Sequence, residues 1–536
     1  MSKYGILVKV IAIGVIVLAM YPYIYGYRHV PTGMTFMGFA DHPYDQNSYL
    51  SRIQQASEGK FFIRRDFTLE EQRPLFFNPF TWTLGVVCLW TGFSPLSVYL
   101  GSLVLYGLVL LATIHWFIGL FTNDKRKRLF AFALCAFSSG LCWLIPLSKW
   151  QELFREWNIL PIDYWIAETI TFETIFSFPQ FALTLVFVLL PLGLIAGSGE
   201  HGGVRRGVLA GLCTGVLAFL HPVDVVTVYL SIFLFIIIVL VRIRRNVGSF
   251  VVSAVLSFAV SLPAMLYQYY IFSTEPVFIE WSKELFISPN LWSYIIGYGI
   301  VLFLAIPGTA LAWRGARPAD MMGISWLAVV AALLYFPITF QRRLTLGIHV
   351  PLCIFAASAA FACIPPFVRR FARGDDGKRR LENAFLLVLF LVTVPANFVK
   401  VAHCINDLKT KPLEFYLFTG DVDAMRWMKE SHNEDASVLS TYRSGLYIPP
   451  YTGNRVYVGH WSETLKFDDK RRAADWVLYS PGNEGLKVRF LRENGIKYIY
   501  FGNFERMRGR FALEGAPYLQ KMYDSGGASI YSVNLQ

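Results

Sequence analysis

Hydrophobic positions along this chain gather into long runs instead of the short alternating or helical patterns of a soluble domain. Windows of about 20 apolar residues, the length that carries a helix across a hydrocarbon core, cover 6–26, 97–121, 129–147, 180–198, 206–221, 224–241, 248–271, 291–313, 321–338, 349–366 and 382–402. No A-x-A-like cleavage site follows the first window, so residues 5–27 read as a retained span and not as a secretory leader. After residue 402 the pattern changes. "DASVLST", "RVYVGH", "IKYIYFG" and "ASIYSV" have the content of short strands, while "DVDAMRWMKESH" and "KRRAADWVLYS" space their apolar residues as helices do. The expected fold is a polytopic α-helical membrane protein with about 11 transmembrane helices over residues 1–402, followed by a C-terminal α/β domain over 403–536. No internal repeat of 20–50 residues is apparent.

Composition agrees: 55% of the 536 residues are hydrophobic and only 16% charged, against about 25% charged in soluble domains. The net charge of +12 does not form a nucleic-acid face, because Lys125–Arg128, Arg205–Arg206, Arg242–Arg245 and Arg369–Arg373 sit in short clusters between apolar runs. With a cytoplasmic N-terminus all four fall on the cytoplasmic side, as the positive-inside rule requires. An odd span count then makes the C-terminal domain extracytoplasmic, and the location is the cell (inner) membrane. Three polar segments fall on the outer side, 28–80, 148–179 and 339–348, and are expected to face one another across a common cavity. There is no G-x-x-x-x-G-K-[ST] loop for ATP-driven transport, and seven cysteines without a C-x-x-C pair argue against zinc and against a disulfide framework.

The first outer segment opens with "GFADHPYDQNSYLSRIQQASEGKF". Its periodicity predicts a helix over 45–59 lying along the membrane surface, with Tyr49, Leu50, Ile53, Ala56 and Ser57 inward and Arg52, Gln54, Gln55 and Glu58 outward. Asp45 is placed to cap that helix, Asp41 to start an Asp-His-Pro turn, and Thr68 with Glu71 to form a capping box. Held at the water boundary, Asp45 or Asp41 would also suit a general base.

In the second segment Asp163, Glu168 and Glu173 alternate with Tyr164, Trp165 and Phe172, acids and rings that suit a sugar or an interfacial aromatic belt. In the third, "YFPITFQRRLTLGIHVPL" puts Gln341, Arg342 and Arg343 on the outer side, against the charge rule, where guanidinium groups match phosphate oxygens. His221 and Asp224 in "FLHPVDVV" contact substrate or pair with each other. In the C-terminal domain Arg443, His460 and Glu463 line an acceptor groove, or else the segment is a packing unit with a turn at Thr452–Asn454 and Tyr447, Tyr457 and Trp461 in its core.

The layout resembles the GT-C superfamily of membrane glycosyltransferases. "DHPYDQNSYLSRI" looks like that group's acidic entry to the first loop, and "RPLFFNPFTWTLG" is similar to the surface helix of the aminoarabinose and mannosyl transferase branches. The resemblance implies a first-loop acid as base, here Asp45 or Asp41, and Asp163 and Glu168 holding substrate or a divalent cation such as Mg or Mn. It implies a polyprenyl-phosphate or -diphosphate sugar donor whose phosphate meets Arg342 and Arg343. The second loop lacks D-x-D and the C-terminal domain lacks W-W-D-Y-G, which sets the chain apart from oligosaccharyltransferases. The expected function is inverting sugar transfer to an acceptor hydroxyl on a glycan, lipid or protein. The competing readings are a transporter or flippase of a lipid-linked sugar and a non-catalytic membrane scaffold.

Overall fold

The structure, a computed structural model, describes residues 3–144, 152, 156–199, 202–368, 370–371, 374–431 and 435–535. Residues 145–147 of the third apolar window, 148–151 and 153–155 of the second outer segment, Arg369 and Arg373 of the last basic cluster, and His432 lie outside them.

Each of the eleven apolar windows holds a helix, but two are shorter than expected. Among the described residues nine helices are long and apolar enough to cross a membrane: Lys3–Arg28, Pro95–Phe121, Pro179–Ala196, Gly203–Leu220, Pro222–Ile243, Val247–Thr274, Leu291–Gly315, His349–Val368 and Asp375–Thr410. The window 129–147 holds the 13-residue helix Lys125–Phe137, and 321–338 holds the 16-residue Pro318–Leu333. The first stops at Ser138 and the second begins on a helix-compatible Pro318, so neither has the reach of its apolar window. The chain is a multi-pass membrane protein.

Two compact units form. One comprises Met1–Tyr21, Gly101–Tyr269 and Leu285–His403, and the other Pro22–Leu100, Tyr270–Glu284 and Cys404–Gln536.

The first unit is a helix bundle with one broken member. Helix Leu291–Gly315 is interrupted at Gly299 (φ 49°, ψ −130°), a conformation open to glycine and strained for other residues. Just before the break three backbones meet: a Cβ on Gly140 would lie 2.3 Å from the Gly297 carbonyl oxygen, and one on Gly297 would lie 2.1 Å from Ile162. The Leu141 N–H donates to the Ile296 carbonyl at 2.9 Å. That crossing fixes the start of the short helix Ile162–Trp165, which carries Asp163.

The second unit is built on strands β1 (Met34–Phe36), β2 (Tyr416–Phe418), β3 (Ser437–Leu439), β4 (Arg455–Val456), β5 (Tyr498–Phe501), β6 (Leu519–Ser525) and β7 (Ala528–Val533). β1 and β2 pair antiparallel, and the others form a five-stranded sheet in the order β4-β3-β5-β7-β6. β3 is parallel to β4 and β5, with Val438 opposite Val456 and Tyr498, while β7 runs antiparallel to β5 and β6. Alternation along the strands divides the core. Val438, Tyr500 and Ile530 face Ala424, Met425 and Met428 of helix Thr419–Glu430, whereas Leu439, Ile499, Phe501 and Tyr531 face Ala474, Val477, Leu478 and Leu491 of helices Phe467–Tyr479 and Glu484–Glu493. The four expected strands and two expected helices are present. β6 and the β1–β2 pair were not legible in the hydropathy.

Candidate active site

The helix of the first polar segment spans Pro43–Ser57, starting two residues earlier than its periodicity predicts. His42 stands before it in the left-handed region (φ 43°), Pro43 supplies the fixed φ of a first helical position, and Asp45 falls in the first turn instead of at the cap. Nor does the helix lie open with a wet face: Gln46, Asn47, Ser51, Gln54 and Gln55 are buried along with Leu50 and Ile53, because helices Pro79–Thr91 and Ile448–Thr452 pack against it. No helix begins at Thr68, whose hydroxyl pairs with Glu70 and not with Glu71.

Asp45 is half-buried and receives two side-chain donors on one oxygen. His460 Nε2 lies 3.1 Å from Oδ1 and the Trp461 indole N–H donates to the same atom at 3.3 Å. The His460 tautomer follows from its other nitrogen, since Nδ1 accepts the Ser462 backbone N–H at 3.3 Å and must be unprotonated in the neutral ring. Nε2–H therefore donates to Asp45, and Oδ2 takes no hydrogen bond among the described residues. Burial raises the Asp45 carboxyl, but the hydrogen bond and potential of His460, then His42 and the Trp461 hydrogen bond, outweigh it and hold the group below its ordinary value. Asp41, by contrast, is engaged by His42 Nδ1 at 2.7 Å.

β4 leads directly into this site. The turn after it is closed by the Thr464 N–H donating to the His460 carbonyl at 2.9 Å, so His460, Trp461 and Glu463 emerge side by side. Glu463 is ion-paired with Arg52, and Arg52, Arg65 and His460 overcome its burial to bring it to about 2. Arg65 is buried between Phe278 and Trp281, 4.7 Å and 4.3 Å from the ring centroids. His460 and Glu463, expected in an acceptor groove, thus hold Asp45 and Arg52, while Arg443 lies over Phe504 at 4.4 Å. Tyr447 and Tyr457 are core, as the packing-unit reading has them, but Trp461 is 43% exposed.

In the first unit, Asp163 is fully buried with its Oδ2 accepting the Cys142 backbone N–H at 3.3 Å. Its Oδ1 has no hydrogen-bond partner among the described residues. Burial pushes it up to about 7 against the stabilising hydrogen bonds of Cys142 and Gly140. Glu173 is buried 3.5 Å from Lys400 Nζ, and the Tyr164 hydroxyl reaches His403 Nε2 at 3.1 Å. Lys400 and His403 were missed, although a lysine inside an apolar window is itself a signal for a buried partner or cavity.

The second and third polar segments meet. Arg342 lies over Trp165 at 4.7 Å and over Phe286 at 5.4 Å, and Arg343 over Phe286 at 3.7 Å. Glu168 and Arg342 both act electrostatically on the Tyr294 phenol. The Arg343 Nε is buried and, among the described residues, without a partner. Gln341 is spent on the backbone, accepting the Ser288 N–H at 3.0 Å and donating to the Phe336 carbonyl at 2.7 Å, which positions the arginines beside it. His221 and Asp224 pair with each other at 2.7 Å, leaving His221 Nε2 buried without a partner among the described residues. They stand at the start of helix Pro222–Ile238, against which the turn Gln341–Thr345 packs. Among the described residues no three His, Cys, Asp or Glu side chains gather as a metal site.

No family model and no curated protein matches the sequence. Solved structures resemble it in fold. The Archaeoglobus fulgidus oligosaccharyltransferase AglB, in complex with an inhibitory peptide and a dolichol-phosphate, covers 99% of this chain and 74% of its own at a TM-score of 0.59 and 12% identity. ArnT from Cupriavidus metallidurans in the apo state covers 99% and 98% at 0.56 and 12%. The same enzyme bound to undecaprenyl phosphate covers 100% and 99% at 0.55 and 12%. This chain has the fold of AglB and ArnT along its whole length.

Proposed function

We propose that the chain is an integral membrane glycosyltransferase that moves a sugar from a polyprenyl-(di)phosphate donor to an acceptor hydroxyl on the extracytoplasmic side, with inversion. The observation that carries this reading is Asp45: a half-buried carboxylate kept ionised, its Oδ1 held by His460 and Trp461 and its Oδ2 uncommitted. Such a group can take the acceptor proton as the hydroxyl oxygen attacks the anomeric carbon and the sugar–phosphate bond breaks. Being a weak base, it accepts the proton late, when bond formation has already made the hydroxyl acidic. Arg342 and Arg343, held on Phe286 and Trp165, are the proposed partners of a donor phosphate. Dolichol-phosphate in the AglB complex and undecaprenyl phosphate in the ArnT complex support a polyprenyl carrier.

The direct test is reconstitution in proteoliposomes with polyprenyl-phosphate sugars, following label released from the carrier. Turnover by wild type and its loss in Asp45→Asn, with folding unchanged, is the expected result. Full turnover by that variant would remove Asp45 from the chemistry. The break at Gly299 favours a second reading, since interrupted helices are a feature of transporters. A flippase would move labelled donor between leaflets without cleaving the sugar–phosphate bond, and Asp45→Asn would leave that movement intact.

A further inference from the structure

At the end of the first unit opposite Arg342 and Asp163, helix termini surround a second polar feature. Helices Pro179–Ala196, Gly203–Leu220, Pro222–Ile243 and Leu291–Gly315 are each long enough to cross a membrane, and the shorter Pro318–Leu333 follows the last of them. Their far ends enclose a cavity of 620 Å³, within the range of small-ligand sites, lined by Arg206, Arg245, Arg317, Asn123, Asn246 and Phe250. Arg206 lies across Gly197, where a Cβ would come within 2.6 Å of its guanidinium nitrogen. Arg317 is neutralised by Asp320 at 2.8 and 3.2 Å. Among the described residues neither Arg206 nor Arg245 forms an ion pair.

The backbone beside these arginines turns through the left-handed region. Arg245 lies between Arg244 (φ 56°) and Asn246 (φ 55°), and Arg317 follows Ala316 (φ 50°), all left-handed without being glycine. Arg244 ends the helical turn Val239–Ile243 and Ala316 ends helix Leu291–Gly315, so these caps set where Arg245 and Arg317 leave their helices. Snorkelling to the membrane surface would explain basic residues here, but it does not require a shaped cavity.

We propose that this cavity binds a phosphate-bearing anion, with Arg206 and Arg245 as its principal partners and Arg317 and the two asparagines around it. Guanidinium groups match phosphate oxygens in number and plane, and basic pockets between spanning helices take lipid phosphate head groups. The apolar wall of Phe250, Leu120 and Ile243 suits the first carbons of a lipid attached to that phosphate.

The test uses full-length protein in neutral detergent carrying Arg342→Gln and Arg343→Gln, so that the other cationic site does not contribute. Native mass spectrometry with added dioleoyl phosphatidic acid or dioleoyl phosphatidylcholine should show at least a tenfold preference for the acid. Arg206→Gln with Arg245→Gln should erase that preference, and the paired Arg→Lys variant should restore part of it, with melting temperature unchanged. Competition by millimolar inorganic phosphate identifies a free anion as the ligand, and its failure to compete identifies the lipid. Equal binding of the two lipids, or an undiminished preference in the paired Gln variant, overturns the proposal. Because no sugar transfer is read, either result is independent of the activity proposed above.

Discussion

Asp45 and His460 are 415 positions apart, yet a hydrogen bond joins them and helps to keep the carboxyl below its ordinary value. If Asp45 is the base, Asp45→Asn lowers transfer by about 10²–10⁴-fold, as read by label release in proteoliposomes. His460→Ala acts in a different way. His460 helps keep Asp45 below the ordinary carboxylate value, so its removal raises the Asp45 pKa and moves the acid limb of the rate profile to higher pH. A profile unchanged in that variant removes the coupling. Loss of Arg343 should cost about 10²–10³-fold in kcat, the scale of a donor that meets developing charge. Asp163 gives a stability signature instead. Its folded value near 7 exceeds its unfolded value, so the folded state binds the proton more tightly and stability falls as pH rises between the two. Glu463, brought to about 2, works in the opposite sense: its contribution is present above the ordinary carboxylate value and lost as pH falls toward 2. Melting curves from pH 5 to 8 should therefore slope downward through Asp163, and Asp163→Asn should flatten them.

Among the elements, helix Pro43–Ser57 has the clearest consequence. The sequence announces a helix there, because the apolar spacing is regular, but its polar residues announce a wet face that does not exist. Burial of Gln46, Asn47 and Gln55 comes from helices Pro79–Thr91 and Ile448–Thr452 packed against this one, and the Gln55 amide donates to Asp66 at 2.8 Å. Helix Pro79–Thr91 lies so close that a Cβ on Gly85 would sit 2.3 Å from that of Ala56. Gly85→Val should thus push the two helices apart and destabilise the fold by about 1–3 kcal/mol, lowering the melting temperature and, through displacement of Asp45, the rate. Retention of both would mean that the contact can relax without cost.

At the scale of the whole molecule, topology is the testable property. The nine long helices among the described residues and the eleven apolar windows are both odd in number, so either count puts the termini on opposite faces if each member crosses once. Tags at the N-terminus and after β7 should show opposite protease protection in sealed inverted vesicles, with the C-terminal tag shielded in the lumen. Matching protection would overturn the odd number of crossings, and a shielded N-terminal tag with an exposed C-terminal tag would reverse the orientation proposed for the reaction.

Long apolar runs are decided locally, because any segment of about 20 such residues leaves water on its own account. For that reason the helices, the basic clusters between them and the α/β character of the last 130 or so residues could be read from the chain. The candidate site could be read only in part: Asp45, Asp163, Arg342 and Arg343 stood out as polar residues beside apolar runs. The pairing of Asp45 with His460 and Trp461, Glu463 with Arg52, and Glu173 with Lys400 could not, because periodicity contains no information about contacts between residues hundreds of positions apart. Tertiary structure alone decided which carboxylates are engaged, since a carboxylate's charge and reach depend on burial and on the donors that packing brings to it.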